Sequence, residues 1–121
     1  MAVLTKELVL KSLNTPDEIR ELPKTRVHVV TIGDYTVSRV RFEPGWKWSE
    51  SMKPIAGTEL CEYPHLAYFI SGRMHIRMGD GTKIETKPGD LVEIPPGHDG
   101  WVIGNEPVVT IDFVGGKDYG K

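Results

Sequence analysis

The sequence predicts an all-β fold, an antiparallel sandwich or barrel, from three observations. Turn residues are dense, with 13 glycines and 9 prolines spread fairly evenly over 121 positions. Between them lie short runs that alternate in polarity or are rich in β-branched residues. Helix signals gather in only one short segment, and there is neither an internal repeat nor a low-complexity tract.

Bulk properties narrow the function classes. A chain of this length makes one domain and buries roughly two thirds of its unfolded surface, enough for a core without staples. The net charge is −2, from 15 basic and 17 acidic residues. No basic field points to nucleic acid or an anionic membrane as partner. The single cysteine, Cys61, excludes an internal disulfide framework and fits a reducing cytoplasm. The first ten residues hold no long apolar run, so neither a signal peptide nor a membrane span is expected there.

The elements follow in order. Thr15-Pro16-Asp17-Glu18 reads as a helix start, with Thr15 at the N-cap, Pro16 at the first position and Glu18 closing a capping box. The helix would run into Ile19–Leu22 and stop at Pro23. Val27–Ile32 and Tyr35–Phe42 flank Gly33-Asp34, a hairpin turn. Gly57–Cys61 and His65–Ser71 are expected as strands joined by a short loop. Arg73–Met78 and Thr82–Thr86 flank Asp80-Gly81, the strongest hairpin signal in the chain. Leu91–Ile94, Trp101–Val102 and Val108–Val114 complete the strands. Alternation buries Met74, Ile76 and Met78 and leaves His75 and Arg77 on the solvated face. We expect one domain, in which residues 1–43 supply strands and the short helix that complete a barrel. Residues 44–114 would form its core, and 115–121 a loose tail.

Two segments carry motifs. Glu59-Leu60-Cys61-Glu62-Tyr63-Pro64-His65 is followed by six residues and Gly72. Gly89, five residues, Pro95, one residue and Gly97 form the second. Gly72 and Gly97 stand where strands reverse and positive φ is easiest. These segments resemble the two sequence motifs of the cupin superfamily, over about the last two thirds of the chain. Further markers, among them Pro44-Gly45-Trp46-Lys47-Trp48 and Pro95-Pro96-Gly97-His98-Asp99-Gly100-Trp101, resemble a group of small single-domain bacterial cupins with no agreed activity. The resemblance implies an antiparallel double-stranded β-helix, the jelly-roll barrel, with at most one short helix near the N-terminus. Small cupins are often dimers, so the N-terminal strands are expected to extend a sheet or exchange with a second subunit.

The resemblance also implies a metal site, but with the usual ligands displaced. The two histidine positions of the first motif fall on Glu59 and Cys61, and its glutamate position on His65. The histidine position of the second motif falls on Gly100, which has no side chain. His98 stands two residues earlier, on the same face of an extended strand and about 7 Å away along it. Glu59 and Cys61, at i and i+2, would both point inward. Cys61, His65, His98 and Glu59 are therefore the candidate ligands. A thiolate, two imidazoles and a carboxylate suit a divalent transition metal, zinc first, with iron, nickel or copper also compatible. Against this, a lone cysteine is more often a small buried hydrophobe. His98 would simply bond to Asp99 or the loop, and the same ligand swaps mark barrels that have lost their metal.

Trp46, Trp48 and Trp101 are candidates for an aromatic rim to a small-molecule pocket, with core packing or a dimer contact as the plain alternative. Arg39 and Arg41 are expected to be solvated. Cys61 with His65 resembles a thiol–imidazole pair, but no oxyanion hole accompanies it. The sequence therefore leaves two functions open, a metal-binding barrel that holds a small polar ligand and a metal-free binding or sensor module. A weaker third is a structural protein with a filled barrel. Whether the protein is an enzyme is not decided at this stage.

Overall fold

The computed structural model describes residues 7–114. Over these residues nine strands form two antiparallel sheets. The strands are β1 (Glu18–Leu22), β2 (Thr25–Ile32), β3 (Tyr35–Phe42), β4 (His65–Ser71), β5 (Arg73–Met78), β6 (Lys83–Thr86), β7 (Leu91–Ile94), β8 (His98–Ile103) and β9 (Val108–Asp112). One sheet has the order β1-β2-β3-β9-β4-β7, the other β6-β5-β8. Two four-residue helices, α1 (Trp48–Ser51) and α2 (Lys53–Ala56), fill the long excursion between β3 and β4. The expected tail 115–121 lies outside the described residues.

Strand parity builds the core. Val27, Val40, Val108 and Phe69 turn inward from the larger sheet, and Met74, Ile76 and Val102 from the smaller. They form one cluster with Trp46, Trp48, Met52 and Cys61. Complete burial of a side chain such as Phe69 contributes about 1.5–3 kcal/mol. Both hairpins form where expected: Ile32 pairs with Tyr35 across Gly33-Asp34, and the Met78 N–H donates to Thr82 O at 2.7 Å across Asp80-Gly81. Gly72, between β4 and β5, has φ +76°, and a Cβ there would stand 2.3 Å from the Pro107 carbonyl oxygen. Only glycine fits.

Three local expectations are corrected. The segment read as a helix after Thr15 is β1, paired with β2 from Glu18↔Val29 to Leu22↔Thr25. Asp17 does not serve a helix start: its carboxylate accepts from the Thr31 N–H at 2.8 Å and from Lys11 Nζ. Five residues before Pro23 are too few to hold a helix unaided, whereas pairing with a neighbouring strand supplies backbone partners. Helical turns occur instead at Trp48–Ser51 and Lys53–Ala56, past the N-terminal segment where the one short helix was expected. Gly57–Cys61 is also not a strand. Gly57 ends α2 in the left-handed conformation at φ +75°, and within this segment only Cys61 makes an isolated bridge, to His98.

His75 departs from its expected setting as well. It is on the outer face of β5 but is not solvated, because its ring stacks on Trp101 at 4.2 Å with 12° between the planes. Among the described residues, no helix is long and apolar enough to cross a membrane.

Candidate metal centre

The site forms where the two motifs meet. Cys61 and His98 are joined through their backbones: the Cys61 N–H donates to His98 O at 2.8 Å, and the Gly97 N–H to Cys61 O at 2.7 Å. Gly97 has φ +96°, the conformation that turns the chain into this bridge. His65 opens β4 and pairs with Ile94, just before the second motif's turn. These constraints gather Cys61 Sγ and one ring nitrogen each of His65 and His98 within 4.8 Å of one another. The two imidazoles stand edge to face, 5.3 Å between centroids.

Hydrogen bonds fix the tautomers. His65 Nδ1–H donates to Asp112 Oδ2 at 2.6 Å, and His98 Nδ1–H donates to Pro95 O at 2.9 Å. Both acceptors lack a proton to give, so each ring must carry its own on Nδ1. That leaves Nε2 of His65 facing Cys61 Sγ, at 3.8 Å. A histidine whose distal nitrogen is tied to a carboxylate or carbonyl is the usual form of a metal-ligating histidine. Asp112 is itself held, accepting from the Val114 N–H at 3.0 Å and the Leu66 N–H at 3.4 Å.

Electrostatics couple the three groups. Burial alone would push the Cys61 thiol up, but hydrogen bonds to His65 and His98, the field of His98 and the Tyr63 backbone outweigh it. The thiol is held at about 6. Burial opposes the charged form of His65, yet Asp112 and Cys61 raise it to about 9. Without an ion, Cys61 and His65 are therefore a thiolate–imidazolium pair at neutral pH.

The other candidates separate. Glu59 is not with them: its side chain is 88% exposed and ion-paired to Lys53 at 2.6 Å. Residues 57–60 are not extended, so the i, i+2 spacing does not bring Glu59 to the face of Cys61. Trp46 and Trp48 are buried and line a cavity of about 60 Å³ together with His65, His98, Gly100, Thr110 and Asp112. Trp101 lies outside that cavity, stacked on His75 with Lys47 Nζ 5.0 Å from its ring centre. Gly100 does line the cavity, and a Cβ there would come within 3.2 Å of the His75 carbonyl oxygen. Arg39 and Arg41 are engaged elsewhere, Arg39 with Asn14 and His28, Arg41 with Glu43.

Sequence reasoning missed Asp112 and Asp99. In β9, Val108, Thr110 and Asp112 share the buried face, so strand alternation alone would have revealed a carboxylate in the core. Asp99 is buried and accepts from the Ser49 N–H at 3.1 Å and the Gly100 N–H at 2.8 Å. It thereby ties α1, and Trp48 with it, to β8.

No protein-family model matches the chain, and no curated protein does. Solved structures do. A cupin-like protein from Thermotoga maritima is 21% identical over 73% of this chain and 65% of its own, with a TM-score of 0.51. A cupin-2 domain from Rhodospirillum rubrum is 19% identical over 87% of this chain and 65% of its own, with a TM-score of 0.55. An oxalate decarboxylase from Lactobacillus farciminis, in a formate complex, is 18% identical over 81% of this chain, with a TM-score of 0.59. The chain spans 65% of the length of the first two and 30% of the third. Two antiparallel sheets, glycine-governed reversals at both motifs and these structural likenesses agree: the chain has the fold of a small cupin barrel.

Proposed function

We propose that this protein is a metal-binding cupin whose ion is held by Cys61, His65 and His98 and which takes a small polar ligand inside the barrel. The observation that carries the reading is the convergence of three donor atoms within 4.8 Å, with both histidines tied back through Nδ1. One sulfur and two imidazole nitrogens suit zinc first, with iron, nickel or copper compatible. Three protein ligands would leave a further coordination position for water or a ligand, the pattern of catalytic rather than structural zinc. A bound ion would supply Lewis acidity there. Cys61 and His98 are buried and His65 nearly so, which keeps competing water away.

The test is elemental analysis of the purified protein beside a Cys61→Ala/His65→Ala variant. Near one equivalent of a transition metal in the wild type and none in the folded variant supports the reading. No metal in either, after incubation with zinc, iron and nickel, refutes it.

A second reading has its own support. The Cys61–His65–Asp112 chain is already satisfied as an ion pair without any ion, as a metal-free binding or sensor module requires. The same elemental analysis separates the two. We further place the protein in the cytoplasm, where a free Cys61 stays reduced. We also propose that it forms a homodimer, since Tyr68, Ile70 and Leu91 are exposed on β4 and β7 of the larger sheet.

A further inference from the structure

The outer face of the smaller sheet gathers cations that no carboxylate among the described residues neutralises. Side chains alternate along β5, so Arg73, His75 and Arg77 point away from the core that Met74 and Ile76 enter. On the same face β6 adds Lys83 and Glu85, and β8 adds Trp101. His75 stacks on Trp101 at 4.2 Å. Lys47 Nζ stands 5.0 Å from the indole ring centre and the Arg77 guanidinium 6.0 Å. Beside the indole is a recess of about 240 Å³ lined by Gly45, Lys47, Glu50 and Trp101, and the Lys24 ammonium lies against Gly45.

Ion pairing elsewhere sets this face apart. Arg39 is bonded to Asn14 and the Leu13 carbonyl. Apart from it, the described lysines and arginines without a carboxylate partner are Lys24, Lys47, Arg77 and Lys83. Arg77 and Lys83 are exposed and directly opposite each other in the β5–β6 register, where like charges destabilise a sheet. Arg26 and Arg41 are opposed in the same way on the larger sheet, but Glu21 holds one and Glu43 the other. Asp99, across from Arg77 on β8, is buried and already accepts from the Ser49 and Gly100 N–H groups. Glu85 is taken by Arg73 at 3.4 Å.

The missing counter-charge therefore comes from outside the chain. Lys47 extends the face by an antiparallel bridge to Trp101, so the strip from β6 to Lys47 crosses strand spacings that add to about 14 Å. An extended peptide of roughly four to five residues spans it. A phosphate backbone fits less well: Glu50 and Glu85 repel it, and Trp101 is a single stacking platform where single strands use several. A peptide can set carboxylates at the cations and uncharged side chains at the glutamates. Tryptophan and arginine are also the residues that most often anchor protein interfaces.

We propose that the outer face of the smaller sheet, centred on Trp101 and bounded by Lys47, Arg77 and Lys83, docks an extended acidic segment of a partner protein. Its carboxylates meet those cations and its apolar atoms lie on the indole.

In the test, the full chain is titrated at low salt into a fluorescein-labelled hexapeptide of alternating glutamate and serine, with anisotropy as readout. We expect saturable binding that fades as salt rises. Arg77→Gln/Lys83→Gln should weaken it at least about fivefold, in line with exposed charge pairs of modest strength. Arg26→Gln/Arg41→Gln removes the same charge from paired arginines of the other sheet and should leave the affinity within about twofold. No saturable binding, or an equal loss in the two variants, overturns the proposal. Tighter binding of labelled oligothymidylate overturns it in favour of a single-stranded nucleic acid. Low-salt self-association that Arg77→Gln/Lys83→Gln abolishes, with the peptide unbound, overturns it in favour of a second copy.

Discussion

Replacing Asp112 by asparagine should raise the Cys61 thiol in the metal-free protein without touching the sulfur. With the thiol at about 6, about nine in ten Cys61 side chains are thiolate at pH 7. At the ordinary 9.0 the share would be about one in a hundred. The thiolate depends on His65, held as imidazolium at about 9 against its burial by Asp112 and by Cys61 itself. In Asp112→Asn the side-chain amide oxygen can still accept from His65 Nδ1–H, so the tautomer survives, but the negative charge is gone. Burial then pulls His65 down, and Cys61 loses its cation. We expect the proton affinity of the thiol to rise at least about tenfold, about 1.4 kcal/mol. The assay is thiolate ultraviolet absorbance against pH, with Cys61→Ser as the blank. The signs for stability follow. Cys61, depressed on folding, contributes stability that is lost as pH falls through about 6. His65, raised on folding, contributes stability that is lost as pH rises through about 9. The pair is intact between those limits. A wild-type thiol that titrates at its ordinary value, or one indifferent to Asp112→Asn, would refute the coupling.

Three further outcomes follow from single contacts. Gly72→Ala puts a Cβ 2.3 Å from the Pro107 carbonyl oxygen at φ +76°; left-handed strain alone costs about 1–3 kcal/mol, so denaturant unfolding should show a loss of at least about 3 kcal/mol, and a smaller one would mean the reversal relaxes freely. Glu59→Gln should leave metal content unchanged, because Glu59 is exposed and paired with Lys53; a drop on elemental analysis would return Glu59 to the ligand set. Asp99→Ala strands the Ser49 and Gly100 amides, and thermal unfolding should report a cost of about 1–3 kcal/mol.

What the sequence revealed depended on whether local signals were confirmed by long-range partners. Tyr35–Phe42, His65–Ser71 and Arg73–Met78 have the bounds read from alternation and turns, since there period, β-propensity and hairpin chemistry agree. The Thr15–Glu18 signal misled because a capping box is a four-residue pattern. The strand at Glu18–Leu22 is fixed by β2, which a local window cannot see. The helices at 48–56 went unread for the converse reason: the Ser49 N–H in the first turn is met by Asp99, fifty residues away. At the site, the convergence of Cys61, His65 and His98 was legible from motif spacing, whereas that of Glu59 was not met. Strand alternation could have placed Asp112 in the core, but its contact with His65 depends on the β4–β9 pairing, which neither motif encodes.

The placement of Cys61, His65 and His98 follows from backbone constraints. Here Gly100, at the motif's own histidine position, packs so close to the β5 backbone that a Cβ would stand only 3.2 Å from the His75 carbonyl oxygen. The imidazole comes instead from His98, at the one point where β8 bridges Cys61. That bridge sets Cys61 Sγ and the His98 ring from a shared pair of backbone residues, while Asp112 sets His65 from the neighbouring strand β9. His65 is thus positioned by a contact that the other two donors do not share, and the backbone bridge between Cys61 and His98 uses neither side chain. Losing one donor would leave the remaining two in place, so single substitutions at Cys61, His65 and His98 should each weaken metal binding while leaving the other two donors and the fold intact. A single variant that instead abolished folding would show that these side chains are core first and ligands second.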